Sequence, residues 1–95
     1  PIIWSDGALE SAEEIIAYYE REAGIDVAHF IETQLFSQVE KYDTFTLSAP
    51  ESEIFPGMRK IVINRLPFVA FIRKTKSGLW EVVDVVHTSR KLPQQ

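Results

Sequence analysis

The sequence predicts an α+β domain: an N-terminal strand, an antiparallel helical hairpin, and a mainly antiparallel sheet of four or five strands on which the hairpin packs. Three observations predict it. The first half repeats apolar residues at helical spacing. The second half holds three short runs rich in Val, Ile and Phe. Gly, Pro and Ser punctuate the joints between them. Ninety-five residues suit one domain with one modest core.

"IIW" at 2–4 is β-branched and aromatic, and reads as a strand. Ser5 or Asp6 then caps a helix whose first turns hold Glu10, Glu13 and Glu14, where carboxylates favour the positive N-terminal end. Leu9, Ala12, Ile16, Tyr19 and Ala23 step by 3 or 4 along one face, and Gly24 is suited to end the helix. A second helix is predicted over 25–41, with Ala28, Ile31, Leu35, Val39 and Tyr42 as its apolar stripe. So short a break between two amphipathic helices implies an antiparallel pair.

"DTFTLSAPESEIFPG" (43–57) is a loop by composition, with room for a short strand at Phe45–Leu47. Segments 58–65, 68–74 and 79–86 are strand-like, separated by Leu66-Pro67 and Lys76-Ser77-Gly78, which makes a meander. Strict alternation would send Val82 and Val86 to one face of the last strand and Val83 and Val85 to the other. Asp84 between them requires a partner, and Arg59 or Arg73 on a neighbouring strand is the expected one. Trp4 and Trp80 are expected to pack the sheet against the helices.

The overall formal charge of −4 hides an asymmetry. Residues 1–56 carry two cations against twelve carboxylates, and residues 57–95 carry eight cations against two. A basic C-terminal half suits a docking face for an acidic partner or nucleic acid. The chain has no cysteine, and His29 and His87 lack ligand-like spacing, so no metal and no cofactor is expected. No apolar run approaches the ~20 residues of a membrane span, and a cytoplasmic protein is expected, with Pro1 following a removed initiator methionine.

Several features in order bring a family into view. Trp4-Ser5 with Ala8 precede and open the first helix; Gly57-Met58-Arg59 opens the second strand; Pro67-Phe68 opens the third and Arg73 closes it. The last strand ends in Val85-Val86-His87-Thr88-Ser89-Arg90 with Pro93. This series resembles the RelE/ParE superfamily of bacterial toxins, in its ParE-like branch. Asp84, Phe68, Phe71 and Thr88-Ser89 depart from the family's usual residues without breaking the fold pattern.

The resemblance implies the toxin of a type II toxin–antitoxin (plasmid stabilization) system, neutralised by a cognate, ParD-like antitoxin. Two modes of action follow from it. A ParE-like toxin binds and poisons DNA gyrase with no reaction of its own. A RelE-like toxin cleaves messenger RNA on the ribosome, for which His87 would move a proton and Arg59, Arg73 and Arg90 would clamp phosphate. A third reading is a non-toxic homologue that only binds antitoxin. The binder is preferred, because the tyrosines (18, 19 and 42) all lie in the helical half and a pI near 5.1 suits the polyanionic ribosome poorly. Arg59, Arg73, His87, Arg90 and Lys91 are then the expected target- or antitoxin-binding residues. They are expected on an uncovered sheet face and the trailing segment. The edge strand 58–65, with three cations and an asparagine, is the expected place for an added chain.

Overall fold

The computed structural model describes residues 1–89. Strand β1 (Ile2–Trp4) leads into helix α1 (Asp6–Ala23) and helix α2 (Ile25–Glu40). A loop with one 3₁₀ turn (Thr46–Ser48) then leads to β2 (Arg59–Val62), β3 (Phe68–Lys74) and β4 (Trp80–His87). The sheet order is β1-β4-β3-β2, with β1 parallel to β4 and the other pairs antiparallel. This is the expected architecture, with four strands among the described residues.

Local chemistry sets the helices. Ser5 is the N-cap of α1, its hydroxyl accepting from the Ala8 N–H at 3.0 Å. Gly24 separates the helices at φ +97°, a backbone geometry that costs any other residue steric strain. The α2 stripe is as expected, with Ala28, Ile31, Leu35 and Val39 buried. The α1 stripe is rotated from the expected one. Ala8 and Ala12 are buried and Ile15 and Tyr19 pack against the core, whereas Leu9 and Ala23 are exposed. Two alanines let the helix backbone sit close to the sheet, and that proximity selects the narrower stripe.

The core lies between the hairpin and the sheet face that carries Ile61, Ile63, Phe68, Ala70, Ile72, Val82 and Val85. Trp4 and Trp80 both pack against it, Trp4 with its ring 4.6 Å from that of Phe36. Val82 and Val85 sharing this core contradicts strict alternation. The reason is a register shift: Phe71 pairs with Asp84 but Ile72 with Val82, so Val83 is an extra residue. The opposite face is covered in part by the chain itself, since Phe55 from the loop stands edge-on to buried Phe71 at 5.0 Å.

The loop makes a 3₁₀ turn where a short strand was expected. Ser48 closes it locally, donating its hydroxyl to the Phe45 carbonyl at 2.6 Å, and the Ala49 N–H donates to Thr46 at 3.1 Å. Among the described residues no strand pairs with this segment. Further on, the loop lies beside the outer edge of β2: the Lys60 N–H donates to the Pro50 carbonyl (2.9 Å) and Ser52 N–H to Met58 (2.8 Å).

Just beyond β2, the side chain of Gln38 imitates a strand. Its Oε1 accepts from the Asn64 N–H at 2.6 Å and its Nε2 donates to the Asn64 carbonyl at 3.2 Å. Gln38 is the one buried polar side chain among the described residues, and this pairing explains why it is tolerated there. Replacing it by alanine (Gln38→Ala) is expected to cost about 1–2 kcal/mol, because the two bonds to Asn64 and a third to Gln34 are lost but water reaches exposed Asn64. Urea unfolding measures the loss, and faster amide exchange at Asn64 locates it.

Candidate functional site

The expected site residues do not collect at one place. Arg59 pairs with Ile72 and therefore shares the helix-facing side. Arg73, the next residue along β3, faces the other way and pairs with Glu81. His87 pairs with Phe68 at the far end of the same strand. Phe68 and Ile72 are four residues apart, roughly 13 Å at the rise of a strand. Arg90 and Lys91 lie outside the described residues.

Each described side chain has a local occupation. The Arg59 guanidinium donates to the Ala49 carbonyl at 2.7 Å and to the Leu47 carbonyl at 3.3 Å, and lies 3.8 Å from Glu51. Its side chain is only 22% exposed, so it holds the loop onto the sheet. Arg73 is 54% exposed and 3.9 Å from Glu81, an arrangement worth little in water. It is the freer of the two arginines.

His87 closes β4 against the core. Its ring stands edge-on to Phe68 at 5.4 Å. Nδ1 lies 3.1 Å from the Ser89 N–H and 2.6 Å from Ser89 Oγ. A backbone N–H can only donate, so Nδ1 is the acceptor and the neutral ring carries its proton on Nε2. Asp84 has neither arginine as its partner. Its Oδ1 accepts from Ser11 Oγ at 2.7 Å and from the Val85 N–H at 2.8 Å. The carboxylate thus joins α1 to β4.

Beside His87 a hollow of about 310 Å³ opens between α1 and the end of β4. Ile15, Tyr18, Tyr19, Phe68 and Val85 give it apolar walls, and Ser11 and Glu14 line it as well. In the sequence Glu14 stands out only as a carboxylate near the start of α1 and Tyr18 only as a tyrosine of the helical half, and neither they nor Ser11 are marked as site residues. Their spacing of 3 and 4 was the available signal, since it places them along one line of the helix. Among the described residues, no group of three or more His, Asp or Glu side chains is placed to hold a metal ion, and no helix is long and apolar enough to cross a membrane.

Comparison with protein-family models matches residues 2–92 to the ParE toxin of the type II toxin–antitoxin system, parDE. The chain belongs to the ParE toxin family. A solved structure described as the chromosomal ParDE TA system from P. aeruginosa superposes with a TM-score of 0.84 at 20% identity, covering 93% of this chain and 95% of that one. At that identity the likeness speaks for the fold alone, and the fold is that of a ParE-like toxin with its hairpin on a mixed sheet. Comparison with curated proteins gives no match. ParE-type toxins are non-catalytic, and the chain is read as one of them.

Proposed function

We propose that this chain is the toxin half of a two-component system, that it acts by binding and inhibiting DNA gyrase, and that a cognate antitoxin neutralises it. The observation that carries the reading is the family match across residues 2–92. The solved ParDE system of similar fold supports the antitoxin partnership. The choice of gyrase comes from the family resemblance.

Geometry supports binding over chemistry. Messenger RNA cleavage needs a base, an acid and phosphate-stabilising cations within about 3 Å of one ribose and its phosphate. Arg59 and Arg73 point to opposite faces of the sheet, and His87 pairs with Phe68 at the other end of β3. One phosphodiester does not reach all three. Arg59 is further committed to the carbonyls of Leu47 and Ala49. Arg73 and His87 remain in this reading as surface groups for target or antitoxin, together with Arg90 and Lys91.

The experiment is induction of the chain in cells without antitoxin. Stalled replication and a DNA-damage response are expected before translation slows. An early translation stop with cut messages would instead establish the ribonuclease alternative. Unimpaired growth, with a complex still formed with antitoxin, would establish the non-toxic homologue.

A further inference from the structure

Strand β4 runs past the strand that flanks it. β1 pairs only with Trp80–Val82. Ser5 then donates its N–H to the Val82 carbonyl at 3.1 Å and its hydroxyl to the Val83 carbonyl at 3.3 Å, and the chain leaves as α1. Beyond that point β4 has no strand neighbour on this side among the described residues.

The phase of the ladder shows which groups this edge presents. The Thr88 N–H donates to the Pro67 carbonyl at 2.7 Å. In an antiparallel pair, successive residues turn their backbone groups alternately toward and away from the partner. With Phe68 paired to His87 and Ala70 to Val85, Val86 therefore turns toward β3, while Val85 and His87 turn away. The Val85 N–H is already capped by the Asp84 carboxylate. What remains among the described residues is the Val85 carbonyl and the His87 N–H. These are the two groups that one residue of a parallel strand takes, donating to the carbonyl before Val86 and accepting from the N–H after it.

The other edge of the sheet is closed by comparison. On β2, Lys60 is bonded by Pro50, and Asn64 just beyond the strand is held by Gln38, so only Val62 between them faces outward unpaired among the described residues. The expected addition of a chain along 58–65 is thus limited to about one residue.

We propose that the antitoxin inserts a short extended segment here, parallel to β4 and in line with β1. One large apolar side chain of the segment fills the hollow between Tyr18 and Phe68, and a basic side chain meets Glu14. The proposal rests on the reading that an antitoxin neutralises this chain. Charge selects the basic residue: α1 carries Asp6, Glu10, Glu13, Glu14, Glu20 and Glu22 against Arg21 as its one cation. The residue of the partner segment that meets Glu14 is therefore basic. A second copy of this chain is a poorer occupant. Two-fold copies pair edges antiparallel, and extending that pairing over both residues requires the Val85 N–H that Asp84 holds.

The test uses the full chain and two terminally blocked heptapeptides, one of alternating leucine and lysine and one with glutamate for lysine. Binding is read by fluorescence anisotropy and amide exchange by NMR. The lysine peptide is expected to bind saturably, to slow exchange at the His87 N–H and not at Val62, and to bind about tenfold tighter than the glutamate peptide. Glu14→Gln is expected to narrow that preference to about threefold. Equal binding of the two peptides, protection at Val62, or concentration-dependent protection of His87 without peptide would overturn the proposal. The protein encoded beside this chain separates the two readings. A stable complex that leaves His87 exchanging freely removes this inference and keeps the antitoxin. Absence of any complex removes the antitoxin reading itself.

Discussion

Replacing Phe68 by alanine is expected to cost about 3–5 kcal/mol, the range for deleting a fully buried aromatic ring. Phe68 is 0% exposed and is the largest fully buried side chain of the core. Its ring meets Tyr19 edge-on at 6.0 Å and His87 at 5.4 Å, so it joins α1 to the end of β4. Little can collapse into its place, because Ala70 and Ile72 on the same strand face are themselves packed against the helices. A domain of this size has a total stability of about 5–15 kcal/mol, so the variant retains a small margin, and its melting temperature is expected to fall by about 20 °C. Thermal unfolding followed by circular dichroism measures it; a fall of only a few degrees would mean that the ring is not the keystone described. Leucine at this position recovers part of the loss by filling most of the volume.

The second large effect is expected at Arg59. Arg59→Ala removes two charge-assisted hydrogen bonds and leaves the carbonyl of fully buried Ala49 without its donor. The expected cost is about 2–3 kcal/mol. It is local in form: the 43–57 loop loosens, and limited proteolysis cuts there before the core unfolds. Arg59→Lys restores a point charge but not the forked geometry, and recovers only part. Arg73→Ala, at an exposed pair, is expected to stay within about 0.5 kcal/mol of the parent. The two arginines look alike in sequence but serve differently as probes of function. Toxicity lost with Arg59→Ala is open to a loop displaced elsewhere, whereas toxicity lost with Arg73→Ala reports on the surface itself.

The contrast shows what the sequence carries and what it does not. The α2 stripe was legible because Ala28, Ile31, Leu35 and Val39 recur at spacings of 3 and 4 and all four are buried. The order of strands along the chain was legible for a related reason, since Gly and Pro mark each joint. The α1 stripe was misjudged by a fraction of a turn, because small Ala8 and exposed Leu9 are told apart only by how closely the helix meets the sheet. The extra residue at Val83 was invisible, since nothing in "EVVDVV" distinguishes a regular strand from a bulged one. That single residue moves Val85 to the core face. The partner of Asp84 was equally hidden, because Ser11 is 73 positions away and meets it only through the seating of α1 on β4. At the candidate site, the strand-end position of His87 was legible. Its pairing with Ser89 and the hollow beside it were products of packing.

The acidic half of the sequence is chiefly the hairpin, whose carboxylates line one side of the hollow at Glu14. A partner that reaches the basic C-terminal half across α1 must satisfy both signs.

The most direct measurement is a supercoiling assay with purified DNA gyrase and the purified chain. Inhibition is expected, with a midpoint that rises in proportion to gyrase concentration, as for an inhibitor used up one-for-one, and with relief on adding antitoxin. Full supercoiling activity in the presence of excess chain, together with messenger RNA cut in a translating ribosome extract, would contradict it.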